Sequence, residues 1–168
     1  MLELSEFEEM YLKRIFEAHF AQPDAIVKTT QLAELMRVTP ASTTEMIQRL
    51  ASQDYLTYIP YKGCRLTSSG FKYASRIKRR EELLKILLRD VIRFEGDVDS
   101  AACNLEHNID SELEVSIDRM LGYPERNKDG NLIPTVDRDL IISEANTLLP
   151  ISALPEGIDA VVEQIISS

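Results

Sequence analysis

Residues 32–67 read LAELMRVTPASTTEMIQRLASQDYLTYIPYKGCRLT, and this stretch decides the fold. Its opening continues a helical pattern that starts at Thr29 or Thr30 and stops in the turn RVTP. Pro40 suits the first position of a new helix, because its fixed φ and missing N–H cost nothing there. The segment 40–54 then carries Met46, Leu50 and Ile47 as its apolar stripe. Two short helices joined by a tight turn, the second opening on small hydroxyl residues, predict a helix-turn-helix. The adjoining segment, YLTYIPYKGCRLT, is rich in aromatic and β-branched residues around Lys62-Gly63, the pattern of a hairpin with a basic tip.

Working outward, residues 5–21 predict an amphipathic helix. Ser5 is the candidate N-cap, Phe7, Tyr11, Ile15 and Phe16 fall at helical spacing, and Pro23 comes just after the end. After the hairpin, residues 68–94 read as one long helix, basic early and apolar late. Gly96 interrupts it, and a helical segment is expected over 98–109. Another runs from a cap at Asp110 or Ser111 to a stop at Gly122. The fold class expected is mainly α with a small β wing: a winged helix-turn-helix over residues 1–75, then a helical domain over 76–140. The remainder, 141–168, changes character around Pro150, Pro155 and Gly157.

The chain has 168 residues and a net charge of −9, but its charges are segregated. Residues 1–95 carry 15 Lys and Arg against 13 acids, while residues 96–168 carry 4 against 15. Within 37–80, nine basic residues are opposed only by Glu45 and Asp54. One basic, phosphate-facing region on an acidic protein is expected, with the second helix of the motif in the major groove of double-stranded DNA. Candidate contacts are Thr39, Ser42, Thr43, Thr44, Gln48 and Arg49 on that helix. Hydroxyls discriminate poorly, so affinity is expected mainly from Lys62, Arg65 and the basic residues of the long helix. No apolar run approaches the roughly 18 residues of a membrane span, and the acidic N-terminus lacks signal-peptide character. The two cysteines, Cys64 and Cys103, form no disulfide framework, and a cytoplasmic location is expected.

The segment SAACNLEHNID, residues 100–110, sets Cys103, Glu106 and His107 at i, i+3 and i+4, one face of a helix. Thiolate, carboxylate and imidazole are common metal ligands. Cysteine is equally at home as a small buried hydrophobe, and Glu–His pairs are frequent on solvated faces, so spacing alone leaves both readings open. The pattern also echoes H-x-x-E-H of zinc peptidases, but neither a further ligand nor a substrate cleft is evident, and an enzyme is not expected.

Taken in order, EEMYLKRIFE, the helix-turn-helix with its wing, CNLEHNID and GNLIP resemble the metal-dependent repressors of the diphtheria-toxin-repressor type, over about residues 3–134. The resemblance implies a cytoplasmic homodimer whose metal-loaded form binds a palindromic operator and represses metal-homeostasis genes. Carried over residue by residue, it implies a metal site of Met10, Cys103, Glu106 and His107. Two sulfur donors favour Fe²⁺ over Mn²⁺, so Fe²⁺ is expected, with Mn²⁺, Co²⁺, Ni²⁺ or Zn²⁺ as the other candidates. The family's ancillary site maps onto Glu81, Lys85 and Asp99. There Lys85 brings a positive charge, and Lys13 stands where manganese sensors carry a carboxylate, so one ion per chain is expected with Glu81 and Asp99 a degenerate remnant. The tail over 141–168 looks like the opening of an SH3-like domain too short to close. The rival expectation is a winged-helix regulator that binds DNA without metal; a metallohydrolase is a distant third.

Overall fold

The computed structural model describes residues 4–21 and 26–135. The tail expected over 141–168 lies outside the described residues.

Helix α1 (Glu6–Ala21) opens on a capping box. The Ser5 N–H and hydroxyl both donate to Glu8 Oε2, at 2.8 and 2.6 Å, and the Glu8 N–H returns a bond to Ser5 Oγ. Tyr11, Leu12, Ile15 and Phe16 are buried, whereas Phe7, expected in the same stripe, is half exposed and meets Tyr11 edge-on. Helix α2 (Thr29–Met36) ends on Arg37 in the left-handed conformation. Helix α3 (Pro40–Ser52) has Pro40 in its first turn, and its cap Thr39 accepts from the Ser42 N–H at 3.2 Å. Its buried face is Thr43, Ile47 and Leu50, with Met46 at the margin.

Strands β1 (Leu56–Ile59) and β2 (Gly63–Leu66) pair antiparallel, Leu56 opposite Leu66 and Ile59 opposite Gly63. The tip is residues 60–62, with Tyr61 at φ 63° and fully exposed. The wing is anchored by Val27, whose N–H and C=O both bond Cys64, at 2.9 and 3.0 Å. Gly63 makes this approach possible. Its φ is +136°, and a Cβ there would lie 2.0 Å from the Val27 carbonyl oxygen. Gly63→Ala is therefore expected to destabilise the wing by about 1–3 kcal/mol, seen as faster hydrogen exchange at Val27 and Cys64.

Helix α4 (Ser68–Ile86) is capped by Thr67, which accepts from the Gly70 N–H at 3.0 Å. The long helix expected to reach residue 94 loosens into a π turn over Leu87–Val91. Helix α5 (Val98–Leu105) comes next, then a 3₁₀ turn (Glu106–Asn108) and α6 (Ser111–Met120), capped by Asp110. The expected single helix over 98–109 thus tightens after Leu105. Asn108 Nδ2 caps the Asn104 carbonyl at 3.2 Å, and extended Ile109 drops into the core.

Among the described residues, two apolar cores result. One joins α1, α2, α3, the wing and Ala74; the other joins Leu83, Leu84 and Leu88 to Ala102, Ile109 and Ile117. Helix α4 belongs to both. Cys64 lies wholly within the first core, and burial pushes its thiol up to about 12, so it is an inert packing residue. Among the described residues, no helix is long and apolar enough to cross a membrane.

Candidate functional site

The DNA-facing expectations divide. Thr39, Ser42, Gln48 and Arg49 on α3 are exposed, as are Lys62 and Arg65 on the wing, and Thr44 is half-buried. Arg49 also reaches back to Glu8 Oε1 at 2.9 Å, tying α3 to the start of α1. Thr44 Oγ1 donates to the Pro40 carbonyl at 2.8 Å. Thr43 must be corrected: it is fully buried, donates to the Thr39 carbonyl at 3.1 Å and meets the Tyr11 hydroxyl at 3.3 Å. It holds α3 on α1 and cannot reach a groove.

The basic run of α4 also needs correction. Arg76 and Arg80 both donate to Glu114 at 2.8 Å, and buried Arg79 donates to Asp118 at 2.5 Å and to the Pro134 carbonyl at 3.1 Å. Lys78 lies 3.1 Å from Glu17 and 2.6 Å from Glu81. These cations neutralise acids within the fold rather than phosphates. Counting charge along the chain cannot reveal the arginine pairs, because their partners stand over 30 positions later on α6.

The second candidate centre lies where α1 meets α4, α5 and the 3₁₀ turn. Met10 Sδ on α1 is 4.0 Å from Cys103 Sγ on α5. Cys103 Sγ is 3.9 Å from Glu106 Oε1, which is 3.2 Å from His107 Nε2. Glu106 is completely buried, and its Oε2 lacks a hydrogen-bond partner. Buried polar atoms are seldom left so. Ligands about one ion at roughly 2.0–2.3 Å would stand about 3.3–3.8 Å apart in a tetrahedron. The donor types and the orphaned Glu106 Oε2 fit a soft divalent metal ion, and the spacings of 3.2, 3.9 and 4.0 Å lie close to that range without falling inside it. Yet among the described residues no three His, Cys, Asp or Glu donors already converge on one point. Lys13 Nζ stands among them, 2.5 Å from Glu106 Oε1 and 3.5 Å from Cys103 Sγ.

Two further residues complete the surroundings, and sequence reasoning assigns neither. Glu9 Oε2 lies 2.5 Å from His107 Nδ1, and its Oε1 accepts from the Tyr73 hydroxyl at 2.6 Å. A carboxylate behind a ligating histidine fixes the ring and leaves Nε2 facing inward. Burial disfavours the charged ring, but bonds to Glu106 and Glu9 outweigh it and raise His107 to about 9. Burial, then the bond to Glu9, keeps the Tyr73 hydroxyl protonated. The one signal in the sequence is the position of Glu9 beside Met10, on a helix aimed at the site.

At the mapped ancillary positions, Lys85 Nζ lies 3.2 Å from Glu81 and 3.0 Å from Asp99. Burial opposes ionisation of Glu81, but Lys13, Lys78 and Lys85 hold it down at about 2. Asp99 itself is largely exposed.

Family models described as the iron dependent repressor N-terminal DNA binding domain and the iron dependent repressor metal binding and dimerisation domain match residues 3–64 and 67–135. An HTH-type transcriptional regulator of Methanocaldococcus jannaschii is 32% identical over 127 residues, covering 75% of this chain and 98% of the relative. The chain belongs to the iron-dependent repressor family. Members of this family are metal-dependent transcriptional repressors and not enzymes. The HTH-type transcriptional regulator MntR of Shouchella clausii is 29% identical over 120 residues, 71% of this chain and 82% of the relative. Among solved structures, a manganese-dependent transcriptional repressor in complex with manganese superposes with a TM-score of 0.68 at 29% identity, covering 86% of this chain and 63% of that one. The IdeR of T. acidophilum gives 0.62 at 27%, covering 80% and 61%. This family member thus spans about three-fifths of those solved repressors.

Proposed function

We propose that this chain is an iron-responsive repressor, a cytoplasmic homodimer that binds a palindromic operator and controls metal-homeostasis genes. The observation carrying the reading is the 4.0 Å approach of Met10 Sδ to Cys103 Sγ, because it joins the DNA-reading head to the second domain through metal-type donors. Met10, Cys103, Glu106 and His107 would hold the ion, which would supply a cross-link between α1 and the second domain. Met10 fixes α1, α1 carries α3 through the Tyr11–Thr43 contact, and α3 presents Thr39, Ser42, Thr44, Gln48 and Arg49 to a groove. Lys62 and Arg65 on the wing supply phosphate contacts. The separation of two such heads in a dimer then decides whether successive half-sites are matched. Val91, Ile92, Leu105, Leu113, Val115 and Met120 are exposed on the second domain, apolar surface of the kind a second copy would cover.

Two sulfur donors favour Fe²⁺ over Mn²⁺, although manganese appears in the names of solved relatives. Lys85 between Glu81 and Asp99 supports one ion per chain, its ammonium standing in for a second cation's charge. The division proposed remains a winged helix-turn-helix over 1–75 and a metal-binding, dimerising unit over 76–140.

The test is an anaerobic operator-binding titration with Fe²⁺, Mn²⁺, Co²⁺, Ni²⁺ and Zn²⁺ against a chelated control, with ion stoichiometry measured. Fe²⁺ is expected to raise affinity at lower free concentration than Mn²⁺, with one ion held per chain. Stimulation by Mn²⁺ at equal or lower concentration would overturn iron, and two tightly held ions per chain would overturn the single site. The second reading, DNA binding independent of metal, draws on the Lys13 ammonium already holding the ligand residues, and predicts operator binding indifferent to chelator.

A further inference from the structure

Lys13 is a long cationic side chain on α1 buried to 1% exposure, and its surroundings explain how that is tolerated. Its Nζ lies 2.5 Å from Glu106 Oε1, 3.5 Å from Cys103 Sγ and 3.7 Å from Glu81 Oε1. A buried ammonium is stable only when paired. The same pairing makes Lys13 part of the donor cluster rather than of the surrounding packing. Glu106 shows this most directly: its Oε1 takes Lys13 and His107, while its Oε2 is left bare in a fully buried position.

We propose that Lys13 is a tethered counter-cation of the metal site: its ammonium holds Glu106 and Cys103 in the metal-free chain and competes with an incoming divalent ion for them. This inference rests on the metal-site reading above. Lys13 neutralises Glu106 and bridges α1 to the 3₁₀ turn. A divalent ion on Cys103 and Glu106 would place two further positive charges within a few ångströms of Nζ, in a site with little water. Lys13 must then withdraw, and Glu81 is the carboxylate already within reach. The competition sets a threshold, so that metal is taken up only above a concentration that offsets moving the lysine. Lys78 and Lys85 also pair with Glu81, so the retreat is crowded and the threshold correspondingly higher.

A purely supportive lysine predicts the opposite effect, because deleting it would loosen the ligands and weaken metal binding. Co²⁺ binding to the full chain separates the two. The readout is the thiolate-to-cobalt charge-transfer absorption, measured alongside the melting temperature of the metal-free protein. Lys13→Leu removes the charge without adding a ligand, and Lys13→Gln serves as a second variant if Leu does not fold. Either is expected to bind Co²⁺ about tenfold or more tighter than the parent while the metal-free protein melts lower, and Lys13→Arg is expected to stay near parental affinity. Binding no tighter in the neutral variants, or equal tightening in Lys13→Arg, would overturn the competition. Absence of a Cys103-dependent band in the parent itself would overturn the metal-site reading, and the competition with it.

Discussion

Cys103→Ala is expected to fold as the parent does and to lose metal-stimulated operator binding. Cys103 sits in the last turn of α5, half-buried, where alanine is at least as good a helix former. The apolar residues of the second core lie on other positions, so little packing is forfeited. What disappears is the sulfur facing Met10 at 4.0 Å, the proposed metal donor on α5. Allosteric couplings of about 1–3 kcal/mol correspond to roughly 5–150-fold in affinity, and that is the stimulation at stake. Fluorescence anisotropy on an operator selected from random duplexes, with and without Fe²⁺ under anaerobic conditions, measures it directly. Equal stimulation in variant and parent would remove Cys103 from the site.

The largest stability effect is expected at Arg79→Met. Among the described residues Arg79 is the bulkiest fully buried side chain, 1% exposed, and its two terminal guanidinium nitrogens reach Asp118 on α6 and the carbonyl of Pro134. Losing that charge takes the guanidinium away from the buried Asp118 carboxylate and removes the bond from α4 to the Pro134 carbonyl. Breaking a buried pair by removing one partner costs about 3–5 kcal/mol. Urea unfolding should show a loss of that size for the single variant and substantial recovery in Arg79→Met/Asp118→Leu, where neither charge of the pair is left. A single-variant cost below about 1 kcal/mol would show that the pair does not hold the two helices together.

Local chemistry made the helices and wing legible. Ser5 with Glu8, Thr39 before Pro40, and Asp110 before α6 are caps that need only their own neighbours. Periodicity located Tyr11, Ile15 and Leu50 in the core for the same reason. Thr43 shows the limit of such reasoning. A threonine at the start of a recognition helix reads as a DNA contact unless it is known that Tyr11, 32 residues earlier, stands opposite. The α4 cations show it again, because Glu114 and Asp118 convert a basic run into internal pairs. At the site, the C-x-x-E-H spacing singled out three side chains, and Met10 entered only through resemblance. The resemblance places Lys13 at the site, but its pairing with Glu106, and the approach of Glu9 to His107 and of Tyr73 to Glu9, required three dimensions.

Helix α4, shared between the two cores, gives the molecule a long arm. Its 19 residues extend about 28 Å, from the end of the wing at Thr67 to the apolar cluster around Leu83 and Leu84. With the far end clamped by Arg79 and that cluster, a tilt of only about 5° would sweep the wing end through roughly 2 Å, a displacement large enough to make or break a phosphate contact. Adjustments at Glu81 and Lys13 too small to alter the fold would thereby be magnified by the time they reached Lys62 and Arg65.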